Sequence, residues 1–293
     1  GIMDLEKCKA LIQVIDTKSL SKVAKKLGYT PSGLSRMISS LEKEMGFTLL
    51  RRNHDGMFPT NECRHLLSGI RELLYQDQVL EQKISDINEL YIGDIEIGVS
   101  HRYYYDAVAL AMKNFSKIYP DVDLKLRHGY SSLLVQELKQ HRLDLCIVSK
   151  RDLGDFQWIP ITKDEMLAWI PKHHKLAKEE KIPVKEFEKE NVILTYPGED
   201  TDNQRVFQKY KIDPHRQFST LEPYASFAMV KQGLGISMDN RLSAWGMEDG
   251  ILYKSLDPRE YIEIGIALQS NPSPAVQEFM KYLLPLLKEE SSL

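Results

Sequence analysis

Cysteine is scarce in this chain of 293 residues: Cys8, Cys63 and Cys146 lie far apart and form no CxxC pair. Neither a disulfide framework nor a zinc-binding spacing is available. Long apolar runs are missing too, since none approaches the roughly 20 residues that a membrane-spanning helix needs. No signal-peptide pattern opens the sequence, and Gly1-Ile2 ahead of Met3 reads as a cloning remnant. Catalytic signatures are equally thin. There is no P-loop, no GxGxxG after a strand and no GxSxG elbow. Ser100-His101 sets a hydroxyl beside an imidazole, but neighbouring residues seldom face each other. His173-His174, in a PKHHK turn, have no third ligand at metal spacing. The expectation is a cytosolic protein that is not an enzyme and needs no cofactor or metal.

What is present is an ordinary globular composition, 42% hydrophobic and 28% charged, long enough for two or three folded units. The net charge of −3 is unevenly spread. Residues 1–64 carry 11 Lys/Arg against 7 Asp/Glu, so a basic head precedes an acidic body. That suits one nucleic-acid-binding end.

The stretch from Ser19 to Gly46 organises the rest. It reads as two helices about a tight turn. The first is capped by Ser19 or Ser21, carries Val23, Ala24 and Leu27 inward and stops at Gly28. The second has Thr30 as cap and Pro31 at its first position. Leu34, Ile38, Leu41 and Met45 recur at helical spacing on its core face. The opposite face is Ser32, Ser35, Arg36 and Ser39. It is slim and hydrogen-bonding, with one guanidinium, as insertion into a DNA major groove requires. An ordinary surface helix would carry Lys/Glu pairs there; such residues come only later, at Glu42, Lys43 and Glu44.

Asp4–Thr17 reads as an opening helix. FTLLRRNHDGMFPT, after Gly46, reads as a hairpin turning at Asp55-Gly56, a wing with Arg51 and Arg52 placed to meet phosphates. From Thr60 to about Leu90 a long helix carries Cys63, Leu66, Ile70, Leu73, Leu80, Ile84 and Ile87 in a coiled-coil seam, ending at Tyr91-Ile92-Gly93. Asp77 falls on that seam. If two copies pair antiparallel, Asp77 meets its own mate, and Asp77→Leu is expected to raise dimer stability. Beyond the helix, strands and helices alternate as β-α-β-α-β over residues 95–148, which indicates a parallel sheet with covering helices. A second α/β round follows, so two similar lobes with a cleft between them are expected.

Ser19-Leu20, Ala24, Leu27, Leu34-Ser35-Arg36, Ile38, Leu41-Glu42, Gly46 and Leu49-Leu50-x-Arg52 sit at the spacings of the N-terminal signature of LysR-type transcriptional regulators. The chain resembles that family throughout, with Gly233-x-Gly235-Ile236 in the second lobe resembling a recurrent element. Two departures stand out. Pro31-Ser32 occupy the place where many members have Gln-Pro, which removes a long base-reading side chain. Thr60-Asn61-Glu62-Cys63 replaces the usual Thr-x-x-Gly.

The resemblance implies a winged helix-turn-helix DNA-binding domain over 1–60, a dimerising linker helix over 61–90 and a two-lobed α/β effector domain, similar to periplasmic solute-binding proteins, over 91–293. Lobe I would take about 91–160 and 268–293, and lobe II about 161–267. The implied function is a sequence-specific regulator that binds operator DNA as a dimer or tetramer and senses a small molecule. A solute-binding protein, or a DNA-binding scaffold without a ligand, are the alternatives.

The DNA-contacting candidates are Thr30, Ser32, Gly33, Ser35, Arg36, Ser39, Arg51 and Arg52. Ligands of open α/β sheets lie beyond the carboxyl ends of the strands. Reading those ends gives Ser100, His101, Tyr130, Ser131, Ser132, Ser149, Thr195, Tyr196 and Glu222 as effector candidates. Ser131 or Ser132 would also cap a helix whose N–H groups favour an anion. His101, Arg102 and Lys150 point to a carboxylate effector, whereas Glu222 would suit an amino group instead.

Overall fold

The structure is a computed structural model that describes residues 3–88 and 93–290. The chain forms two compact units, Gly1–Leu90 and Tyr91–Leu293. Of the helix end expected at Tyr91-Ile92-Gly93, residues 91 and 92 lie outside the described residues.

In the first unit, α1 (Leu5–Thr17), α2 (Leu20–Leu27) and α3 (Pro31–Met45) enclose a core of Cys8, Leu11, Val23, Ala24, Leu34, Ile38 and Leu41. The caps follow side-chain chemistry. Ser19 Oγ accepts from Lys22 N at 3.2 Å, Thr30 Oγ1 accepts from Gly33 N at 3.0 Å, and Gly28 ends α2 at φ 74°. Leu27, expected inside, is 36% exposed, because it sits in the last turn beside the cap.

The wing pairs β1 (Leu50–Asn53) with β2 (Gly56–Pro59), turning at His54-Asp55 rather than Asp55-Gly56. Gly56 is needed for a different reason. A Cβ there would run into the Lys18 carbonyl, which accepts from Met57 N at 3.0 Å and ties the wing to the end of α1.

Helix α4 (Asn61–Ile87) corrects two expectations. Its apolar seam is divided: Cys63 and Ile70 are buried in the unit's own core with Leu66 against them, while Leu73, Leu80, Ile84 and Ile87 are exposed. Asp77, expected to meet its mate in a second copy, has a partner in its own chain: its Oδ2 lies 3.0 Å from Lys9 Nζ on α1. A buried Arg71 makes a bidentate contact with Asp16, at 2.7 and 3.3 Å, and fixes α4 on α1.

The second unit opens with β3 (Gly93–Val99), α5 (Tyr105–Ile118), β4 (Val122–His128), α6 (Ser131–Lys139) and β5 (Leu145–Ser149). Strand β3 pairs in parallel with both β4 and β5, as the alternation predicts. The whole sheet is mixed, however. The fifteen-residue β6 (Gln157–Pro171) and β12 (Tyr261–Leu268) run antiparallel to each other, and β12 is antiparallel to β5.

The first half of β6 lies against β12, and its second half against β10 (Ser237–Asn240) and β11 (Ile251–Asp257). Gly265 of β12 permits this crossing, since a Cβ would strike the Ile159 carbonyl and the Trp158 ring. Short β7 (Lys181–Pro183) edges the sheet on β11. A separate parallel pair, β8 (Asn191–Thr195) and β9 (His215–Thr220), carries α7 (Asp202–Lys209) and α8 (Pro223–Lys231), and α9 (Pro274–Glu290) closes the chain.

Two apolar cores stand out among the described residues by their size. One contains Ile95, Ile97, Phe115, Ile147, Ile266 and Phe279; the other contains Met166, Ile170, Val192, Val206, Phe207 and Met238. These are two lobes, joined through β6 and β12. Among the described residues no helix is long and apolar enough to cross a membrane.

Candidate functional site

On α3 the expected face is presented. Thr30, Ser32, Ser35, Arg36 and Ser39 are exposed and Gly33 is half-buried. The Arg36 guanidinium is not tied down; Nε reaches only the Ser32 carbonyl, at 3.5 Å. Arg51 and Arg52 are exposed on β1. Glu42, read from sequence as part of a solvated run, instead accepts from Leu49 N at 2.7 Å and Leu50 N at 3.2 Å. It clamps the start of the wing onto the end of α3, so the wing's arginines and the helix face are held in fixed relation.

The second site lies between the lobes. Ser100, His101, Tyr130, Ser131, Thr195 and Tyr196 line a cavity of about 60 Å³ together with His128, Arg151, Thr201, Asp202, Asn203, Asp239, Asn240 and Ser243. Ser132 and Ser149 stand behind it in the hydrogen-bond network. Glu222 lines an adjoining recess of about 240 Å³ with Arg102 and Tyr105, where it caps α8 by accepting from Ala225 N at 2.9 Å.

Two readings are corrected. The cap of α6 is Tyr130, which makes no side-chain cap bond, so neither Ser131 nor Ser132 caps that helix. Lys150 points out of the cavity and lies 3.5 Å from Glu263 on the surface.

His101 is buried with both ring nitrogens engaged: Nδ1 lies 2.8 Å from Ser100 Oγ and Nε2 3.1 Å from Asn240 Oδ1. Asn240 Nδ2 donates to Asp164 Oδ2 at 2.7 Å, which leaves its Oδ1 as the acceptor for His101. The imidazole therefore carries a proton on Nε2, while Ser100 Oγ, which also lies 3.1 Å from the Ile147 carbonyl, has one proton for two acceptors. Burial lowers the histidine pKa and favours the neutral imidazole. Across the mouth, the Tyr130 and Tyr196 rings come from facing lobes with centroids 4.7 Å apart. Burial, then Glu199, pushes the Tyr130 hydroxyl up to about 12.

The strongest lobe-to-lobe contact was not read from sequence. Arg151 Nη1 donates to Asp202 Oδ1 at 2.9 Å and to Ser149 Oγ at 3.0 Å, while its Nε donates to Ser132 Oγ at 2.7 Å. Ser149 Oγ lies 2.8 Å from both Ser131 Oγ and Asp202 Oδ2. Its single proton goes to the carboxylate, so the Ser131 hydroxyl supplies the other bond. Ser132 Oγ donates in turn to the Asp200 carbonyl at 2.7 Å. Arg205 grips the Asp200 carboxylate at 2.7 and 2.9 Å and holds its pKa down at about 2. Asp239 is pushed up to about 7 by burial. A signal for Arg151 was available, because it follows the β5 end at Ser149-Lys150. The same signal was available for Asp239, which follows the strand end read at Met238, whereas Asp202 carried none, as it joins the site through contacts with a segment distant in sequence.

Residues 5–64 match the family described as bacterial regulatory helix-turn-helix protein, lysR family, and residues 88–288 match the LysR substrate binding domain. The chain belongs to the LysR family, which comprises transcriptional regulators and not enzymes. It is 24% identical to the uncharacterized HTH-type transcriptional regulator YvbU of Bacillus subtilis, over 92% of each chain. Among solved structures it is similar to a full-length OxyR variant from Pseudomonas aeruginosa, with a TM-score of 0.70, 16% identity, and 98% and 95% of the two chains covered. The effector binding domain of QuiR in complex with shikimate matches at TM-score 0.56 and 23% identity, covering 68% of this chain and 98% of that one.

Proposed function

We propose that the chain regulates transcription by binding operator DNA through α3 and the wing, under the control of a small carboxylate effector held between the lobes. Residues 1–60 form the DNA-binding part, 61–90 the helix through which copies associate, and 91–293 the effector part; such a regulator works where the chromosome is, in the cytoplasm. The observation that carries the reading is the convergence of six strand-end candidates from both lobes on one polar cavity. Arg151, a buried cation in that cavity, supports the carboxylate. Exposed Leu73, Leu80, Ile84 and Ile87 on α4 support association into a dimer or tetramer, because a long helix with an uncovered apolar stripe needs a partner.

The test is thermal melting of the full chain against a metabolite panel, in which a ligand raises the melting point as RT ln(1+[L]/Kd). A hit whose effect disappears in Ser131→Phe supports the cleft. A hit that survives the substitution moves the site elsewhere.

A further inference from the structure

A carboxylate alone leaves the charges of the cleft out of balance. Arg151 from lobe I and Asp202 from lobe II meet across it, with side chains only 5% and 15% exposed. A further acid, Asp239, lines the same cavity. Asn240 N at 2.9 Å and Ser243 Oγ at 3.1 Å, whose single proton also has Asn240 Oδ1 within 2.7 Å, both approach its Oδ1, so Oδ2 remains for a ligand. The remaining groups facing this cluster do not change its sign. Burial favours the neutral form of His101, Asp164 is committed to Asn240 and to Leu242 N, and the Asp200 carboxylate, 3.9 Å from Arg151 Nε, is paired with Arg205.

Three kinds of ligand can be compared by what each strands. An anion that takes Arg151 displaces Asp202 and leaves that carboxylate without a counter-charge, beside a second acid, Asp239. A cation that takes Asp202 strands Arg151 instead. Removing one partner of a buried pair is strongly destabilising, since it leaves an uncompensated charge. A molecule carrying both charges replaces the internal pair and leaves neither residue alone. Arg151 and Asp202 are in direct contact, so the ligand's charges must stand close together, and a cavity of about 60 Å³ requires a small molecule.

We propose that the effector is a small α-amino acid, its carboxylate seated on Arg151 and its ammonium held between Asp202 and Asp239. This inference rests on the cleft being the effector site.

The experiment uses the full chain, with melting and calorimetric titration against the proteinogenic α-amino acids. For each hit, the matched 2-hydroxy acid, 2-oxo acid and decarboxylated amine are then tested. At least one amino acid is expected to bind. Its analogues lacking either charge, and Asp239→Asn with the amino acid itself, should each bind more than about tenfold more weakly. A 2-hydroxy or 2-oxo acid that binds as tightly as the amino acid, and loses binding in Ser131→Phe, overturns the zwitterion while leaving the cleft as the site. Binding that survives both Ser131→Phe and Asp239→Asn overturns the cleft itself. No response to any amino acid overturns the proposal. Should Ser131→Phe fail to fold, the isosteric Asp239→Asn carries the test.

Discussion

Arg36 is exposed on the slim face of α3 with no ion-pair partner among the described residues, which leaves its guanidinium available to a base edge. Arg36→Ala is expected to lower affinity for the operator by about 1–3 kcal/mol if the side chain reads a guanine. Arg51→Ala and Arg52→Ala should instead weaken binding evenly across sequences and reduce the salt slope by about one each. Anisotropy titrations on operator and scrambled DNA at several salt concentrations separate the two behaviours, and unchanged affinity in all three folded variants would remove α3 and the wing from the interface.

A half-buried acid supplies the pH dependence. Asp144 accepts from Glu96 N at 2.7 Å, and burial, with Glu96 and Asp94 nearby, raises it from 3.8 to about 7. A raised folded-state pKa means that the group's favourable contribution is complete below about pH 4 and fades as pH climbs through about 7. Asp239 acts in the same direction. Chemical denaturation of Asp144→Asn should therefore show a flatter loss of stability across that window than the wild type, and an equal slope would mean that the acid is ionised throughout.

Helix α4 shows how an element divides its labour. Its first half is locked to α1 by buried Arg71 on Asp16, so Arg71→Met should cost about 3 kcal/mol, at the low end for a broken buried pair because Asp16 is 30% exposed. Asp77 is held more loosely on Lys9, with side chains 22% and 35% exposed. Asp77→Leu is now expected to change stability by less than about 1 kcal/mol, in place of the rise in dimer stability that the heptad pattern suggested. Leu80→Glu with Ile84→Glu should dissociate the assembly in sedimentation while leaving the monomer's melting intact.

Elements built on short-range signals were legible. The serine and threonine caps, Gly28 in the left-handed region and the 3.6-residue period identify α2 and α3 without any distant contact. The first half of β6 and all of β11 went unread. Strand β6 faces water-rich and core environments in turn, so no single period runs along it. Asp77 was misjudged because Lys9 lies far away in sequence.

At the scale of the molecule, β6 and β12 pass through both lobes, so opening the cleft must flex two paired strands that no loop interrupts. The Arg151–Asp202 pair and the Ser132 bond to the Asp200 carbonyl resist that opening. Of the site, the strand-end hydroxyls were legible because the carboxyl edge of a sheet is a place that topology alone designates. Asp202 was not, since its pairing with Arg151 joins segments 51 residues apart.

The three cysteines extend the same division into kinetics. Cys8 and Cys63 lie in the core of the first unit and Cys146 in that of the second, all fully buried, and burial raises each thiol's pKa, that of Cys63 to about 11. None presents a thiolate to solvent, so alkylating reagents reach them only when the surrounding structure opens. Mass-resolved labelling over time would then act as a pair of clocks, one per unit, timing how often each core opens and whether effector or DNA slows one without the other.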